Sequence, residues 1–222
     1  FIVRNIKLLI LFIPLISFSF SYANEIVNIP DQKFKDYLVN NTLINTNGDG
    51  EIQLSEARAF TGTIVCIRKG IRSITGIEAF VNISGIDCSV NNITSIDLSA
   101  NTELKELNCR SNQLTSLNLT SNTKLTDLKF GLNLELNSVD ISNCLLLERL
   151  EFNRTKLRNI NLIHHEELKT VKIEGSELTN VQIPDSGKLI EFELLGSQIL
   201  DFDFKNNSGL KKIVLNNGPF QT

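Results

Sequence analysis

Apolar residues return along this chain with a period of 21 or 22 residues. With Cys109 as the reference slot, the same position holds Cys66, Cys88, Phe130, Phe152, Ile173, Leu194 and Leu215. Two residues before it stand Ile64, Ile86, Leu107, Leu128, Leu150, Val171, Phe192 and Ile213. A third apolar column, five before the slot, runs from Ile83 through Leu104, Leu125, Leu147, Leu168 and Leu189 to Leu210. Side chains two apart on a strand face the same way, so each unit predicts one short strand with an inward pair. Such a unit cannot bury its stripe alone. Stacking the units at about 4.8 Å per strand makes one continuous core, and the expected shape is an elongated solenoid.

The polar positions keep the same period. Three residues after the slot come Lys69, Asn91, Asn112, Asn133, Thr155, Ser176, Ser197 and Gly218. In its centre the unit reads LxxLxCxxNxL, which resembles the leucine-rich repeat from about Thr61 to the end. That resemblance implies an Asn side chain satisfying backbone groups at the turn after each strand. Beyond the Asn slot a second alternation, such as Leu117-Asn118-Leu119 and Val139-Asp140-Ile141, predicts extended chain on the return side. What remains, for example Thr120 to Lys124, is too short for an average helix of about 11 residues. The expected fold is therefore a β-rich leucine-rich-repeat solenoid of about eight coils over residues 63–222. The pattern ends at "NNGPFQT", just past the last core strand, and solenoids need a polar terminal cap, so the chain is expected to continue beyond residue 222. Phe1 in place of Met likewise predicts a missing start.

Residues 24–62 read as a small helical cap. Pro30 and Asp31 open a helix with Phe34, Tyr37 and Leu38 on one face, and "SEARAFTG" begins a second that ends near Gly62. Between them "NTNGDGEIQLSE" resembles the EF-hand loop. Asn45, Asn47 and Asp49 take positions 1, 3 and 5, Gly50 the glycine at 6, Glu51 the carbonyl at 7, Ile52 the apolar residue at 8, and Glu56 the bidentate carboxylate at 12. Asn45 departs from the pattern, which has Asp. The resemblance implies Ca²⁺ held weakly, in the range about 10⁻⁴ to 10⁻³ M. An Asn-Gly and Asp-Gly turn without metal is the other reading. With no Met to line a groove, a bound ion would serve as a stabilising clip rather than a switch.

The first 23 residues read as a secretory signal: Arg4 and Lys7, an apolar run from Leu8 to Ile16, and Ser21 and Ala23 before the cut. The run falls short of the roughly 20 residues of a membrane span. Cleavage removes two bases and no acid, taking the formal charge from −3 to −5. This excludes nucleic acid or membrane insertion as the expected business of the mature chain, which is predicted to be secreted or held at the cell surface. Cys66, Cys88 and Cys109 share a column with Phe, Ile and Leu and read as core-filling thiols, because in-register side chains fit the S–S torsion poorly. A disulfide between neighbouring coils is the alternative. Cys144 is expected in an inter-coil loop.

In a strand with Leu107 and Cys109 inward, Glu106, Asn108 and Arg110 point onto the concave face. The candidate partner-binding residues there are Glu106, Asn108, Arg110, Asp127, Lys129, Arg149, Glu151, Lys172 and Glu193. The middle column alternates in sign from Lys129 to Glu193. Such a ladder supports a sheet through opposite-charge pairs, or it meets a polar partner, an extracellular protein or glycan. His164, His165, Glu166 and Glu167 fall in an inter-coil loop and read as solvated. No GxSxG, HExxH or P-loop is present, so no enzyme is expected. The repeat together with its cap is similar to internalin-like bacterial surface proteins, which implies recognition at or outside the cell through the concave sheet. A structural or adhesive spacer, and the binding region of a larger surface protein or enzyme, remain as alternatives.

Overall fold

The computed structural model describes residues 25–197, 199 and 203–216. The predicted signal lies outside them, as does Gly218 of the turn column. Asp31 starts the cap: its carboxylate accepts from the backbone N–H groups of Lys33 and Phe34 at 3.0 and 3.1 Å. Helix α1 follows over Gln32–Val39 and buries Phe34 and Leu38, one turn apart. Helix α2, Leu54–Ala59, is capped by Glu56 Oε2, which accepts from the Gln53 N–H at 3.1 Å.

The solenoid then proceeds through β1 (Thr63–Val65), β2 (Gly85–Asp87), β3 (Glu106–Asn108), β4 (Ser116–Asn118), β5 (Asp127–Lys129), β6 (Ser138–Asp140), β7 (Arg149–Asn153), β8 (Asn159–Asn161), β9 (Thr170–Glu174), β10 (Asn180–Gln182), β11 (Glu191–Leu195) and β12 (Lys212–Asn216). Eight of these form one parallel sheet in the order β1-β2-β3-β5-β7-β9-β11-β12. Its register is the predicted one: Ile86 lies beside Leu107, Leu107 beside Leu128, and so on to Phe192 beside Ile213. On the return side β4 pairs with β6 and β8 with β10, again parallel. Ile96–Leu98 passes the same place without strand pairing.

Two polar columns hold the turns. In the first, Asn91 Nδ2 donates to the carbonyls of Cys66 and Cys88 at 2.9 and 2.8 Å, while its Oδ1 accepts from the Lys69 and Ile71 N–H groups. Asn112 and Asn133 repeat the arrangement one and two coils on. Thr155 and Ser176 are buried in the same column, but their hydroxyls find no partner. From this point the strands of the large sheet lengthen from three residues to five.

The second column corrects one expectation and completes another. Asn101, Asn122, Cys144, His165, Ser186 and Asn207 are all buried, each donating to carbonyls of the preceding coil. Asn122 Nδ2 reaches the carbonyls of Leu98 and Asn101, at 3.0 and 2.9 Å. Cys144 does lie in the connection between β6 and β7, as expected, but its side chain is buried and its thiol donates to the Leu119 carbonyl at 3.4 Å. His165 is 2% exposed rather than solvated, and its Nε2 sits 3.1 Å from the Ile141 carbonyl. The reason is the same for both: they occupy a rung where a buried carbonyl needs a donor.

The turn after each of the first seven strands of the large sheet passes through the left-handed region. Arg68, Val90, Ser111, Leu132 and Arg154 hold φ between 48° and 58°, and Gly175 and Gly196 occupy the equivalent position in later coils. All four cysteines are free thiols. Burial pushes the thiols of Cys66, Cys109 and Cys144 up to about 12, and that of Cys88 well above its ordinary value.

Candidate functional site

The eight-stranded sheet carries the predicted residues on its outward face, the one expected to be concave, but the pairing differs from a simple ladder. Arg110 reaches past its neighbouring coil to Glu151, Nη1 to Oε1 at 2.7 Å. On the coil between them Gly131 leaves space for Asn153, since a Cβ at this position would lie 2.0 Å from Asn153 Oδ1 and 2.7 Å from its backbone nitrogen. Lys129 stands 3.9 Å from the same Glu151. Arg149 pairs with Asp127 at 2.5 Å, and this contact raises the guanidinium's pKa.

Further along, Lys172 turns to Glu191 at 3.0 Å rather than to Glu193, although Glu193 is its strand neighbour. Glu193 is paired with Lys212, which also meets Glu191 at 2.9 Å. Two lysines beside it hold the Glu191 carboxyl below its usual range. Asn108 Nδ2 donates to Asp87 Oδ2 at 2.9 Å. Glu106 has no ion-pair partner among the described residues. Cross-coil contacts therefore engage most of the candidate side chains.

The cap loop brings together Asn47, Asp49 and a residue not expected from its sequence, Gln53. Asn47 Nδ2 donates to Asp49 Oδ2 and Gln53 Oε1 at 3.0 and 2.9 Å, and Gln53 Nε2 donates to Asp49 Oδ2 at 2.6 Å. Gln53 takes position 9 of the loop, a slot often filled through water and so easily overlooked. Asn45 Oδ1 accepts from the Gly48 N–H at 2.9 Å. Gly48 and Gly50 turn the chain at φ 71° and 81°. Glu56 Oε1 accepts from the N–H groups of Thr46 and Asn47 and from the Thr46 hydroxyl. The Glu51 side chain faces away, pairing with Lys35 at 2.6 Å, which leaves its backbone carbonyl as the part relevant to the loop.

The loop thus offers two carboxylates and several amide oxygens. Among the described residues no three His, Cys, Asp or Glu side chains gather as a metal cluster. An oxygen-rich set of this kind suits a hard cation such as Ca²⁺. The bonds that Asp49 accepts from the Glu51 N–H, Asn47 and Gln53 lower its pKa and keep it ionised. Outside the loop, His164 and His165 do not form a pair of ligands, because His165 is committed to the core. No helix among the described residues is long and apolar enough to cross a membrane.

The sequence matches no family model, and no curated protein matches it significantly. Solved structures do. Internalin C2 from Listeria monocytogenes is 18% identical and superposes with a TM-score of 0.58, covering 84% of this chain and 93% of its own. The functional domain of InlJ from the same organism, described as including a cysteine ladder, is 19% identical over 87% of this chain and 61% of its own, with a TM-score of 0.32. Internalin InlF, also from Listeria monocytogenes, is 19% identical over 87% of this chain and 85% of its own, with a TM-score of 0.34. The period, the parallel register and the likeness to internalin C2 agree, and the fold of this chain is the leucine-rich-repeat solenoid.

Proposed function

We propose that this protein is a secreted or surface-held recognition module that binds a partner protein through its concave sheet. The observation that carries this reading is the set of ion pairs spanning coils on that face, Arg110 with Glu151, Arg149 with Asp127 and Lys172 with Glu191. Side chains already held in one arrangement lose little freedom when a partner arrives, and this preorganisation raises affinity for a matching charge pattern. Binding rather than catalysis suits a face made of paired charges. The absence of outward aromatic rings in its middle column favours a protein over a stacked glycan.

In the same reading the cap loop holds Ca²⁺ through the carboxylates of Asp49 and Glu56, the amide oxygens of Asn45, Asn47 and Gln53, and the Glu51 carbonyl. Bound there, the ion supplies positive charge that ties the start of α2 to the loop and stiffens the cap.

The test is binding of the full chain to an array of extracellular proteins and glycans, with two double variants. Arg110→Glu with Arg149→Glu reverses the concave charges, and Lys156→Glu with Arg158→Glu reverses charges off that face. A protein partner that loses at least about tenfold with the first variant and keeps its affinity with the second supports the reading. Equal binding by both variants would replace it with the spacer reading, and retention of glycans alone would change the partner class.

A further inference from the structure

The bases of this acidic chain are distributed unevenly once their partners are considered. Along the solenoid, Lys124, Lys156, Lys169 and Lys188 each meet an acid in the coil before them. Lys33, Arg68, Lys69 and Arg72, by contrast, have no ion pair among the described residues, and all are exposed. They belong to α1 and to the turn after β1, so the fold gathers them where the cap meets the first coil. Lys33 Nζ donates to the Gly70 carbonyl at 3.3 Å across that junction.

A cleft of about 630 Å³ opens at this place. Lys33, Lys69, Tyr37 and Leu43 line it, with Asp36 as the acid on its wall. Tyr37 is fixed by its hydroxyl, which accepts from the Val65 N–H at 2.8 Å. Leu43 is 75% exposed, and Val65 and Ile67 follow on the outer face of the first coil at 45% and 37%. Apolar side chains at such exposure beside an excess of positive charge favour docking over solvent exposure. Asp31 stands beside the cluster as a carboxylate held by the N–H groups of Lys33, Phe34, Arg72 and Ser73, and with Asp36 it leaves four bases facing two acids, a net positive charge.

We propose that this cleft docks an extended acidic segment of a partner protein, its carboxylates facing Lys33, Arg68 and Lys69 and an apolar side chain seated against Leu43 and Tyr37. The positive charge supplies orientation and speed of encounter, and the apolar floor supplies residence time. A sulfated glycan would use the charges alone and leave Leu43 uncovered, so the exposed leucine decides for a peptide. The site shares no residue with the paired charges of the concave face, so it stands or falls separately from that reading.

The experiment uses the full chain labelled with ¹⁵N and three probes: a short peptide alternating glutamate and leucine, the same peptide with lysine for glutamate, and a heparin-derived oligosaccharide. The acidic peptide is expected to shift the amides of Lys33, Leu43 and Lys69 in a saturable way, and to weaken as salt rises. Affinity should fall at least about tenfold in Arg68→Glu with Lys69→Glu, and also in Leu43→Ser, which leaves every charge in place. Shifts confined to other coils, equal binding of the lysine peptide, or a response to the oligosaccharide without the peptide would each overturn the proposal.

Discussion

His165 Nε2 stands 3.1 Å from the carbonyl oxygen of Ile141, one coil earlier, while its Nδ1 is buried with no partner. The ring therefore serves as a neutral donor, and burial lowers its pKa below the ordinary imidazole value. A base whose folded pKa is depressed contributes fully above its unfolded pKa, about 6.5, and that contribution is lost as pH falls below this value toward the folded one. Melting temperature should accordingly drop between pH 7 and 5 by more in the native chain than in His165→Asn, which keeps a donor like that of Asn122. Parallel pH profiles for the two proteins would place the acid sensitivity elsewhere.

Asn112 gives a sharper measure of what a rung contributes. Replacing it with alanine strands the Ile93 N–H in the core, while the Cys88 and Cys109 carbonyls each lose one of two donors and keep Asn91 and Asn133. Urea unfolding should show a loss of about 1–3 kcal/mol. The converse change, Thr155→Asn, extends the column into the coil where the threonine hydroxyl is unpartnered. A gain of about 1 kcal/mol is expected.

Val90 occupies the left-handed region at φ 58°, where a β-branched side chain crowds its own backbone. Such a residue carries about 1–2 kcal/mol of strain. Glycine removes it but costs some entropy of the unfolded chain, so Val90→Gly should stabilise by about 0.5–1 kcal/mol. Thermal or urea unfolding checks the sign directly. The same substitution at Cys88, an inward position of the same coil, should destabilise instead.

The calcium proposal gives a quantitative expectation. With an affinity of about 10⁻⁴ to 10⁻³ M, 10 mM Ca²⁺ would stabilise the chain by about 1.4–2.7 kcal/mol. Calorimetric titration of chelator-treated protein should give saturable heat that Asp49→Asn and Glu56→Gln both abolish. Glu56 also caps α2, so only the Asp49 variant separates lost metal from a loosened helix. No heat and an unchanged melting curve would leave the loop a metal-free turn.

The large sheet was readable from sequence because its signal is chemically uniform: Leu, Ile, Val and Phe recur where a parallel strand needs them, and the register follows from the period. Asn91, Asn112 and Asn133 were readable for the same reason. The second donor column was hidden by its variety. Asn, Asn, Cys, His, Ser and Asn share no hydropathy, only the ability to offer a proton, and the available clue was position, three residues before the Leu104 to Leu210 column. The left-handed turn was equally silent, since Arg68, Val90 and Leu132 do not advertise a positive φ as Gly175 does. On the concave face the sequence located the charges but not their partners, because Arg110 and Lys172 are long enough to bypass the strand neighbour.

Both donor columns point the same way. Asn91 serves Cys66, Asn112 serves Cys88, Asn122 serves Leu98, and Asn207 serves Pro184, always toward the amino terminus. The solenoid consequently has a grammatical order: each coil is closed by the one that follows it. A chain emerging amino terminus first would complete its coils one step behind synthesis, with α1 and its Asp31 carboxylate, bonded to the Arg72 and Ser73 N–H groups, as the template for the first turn. Shortening from the carboxyl end reopens the last sentence written, whereas loss of the cap removes the first.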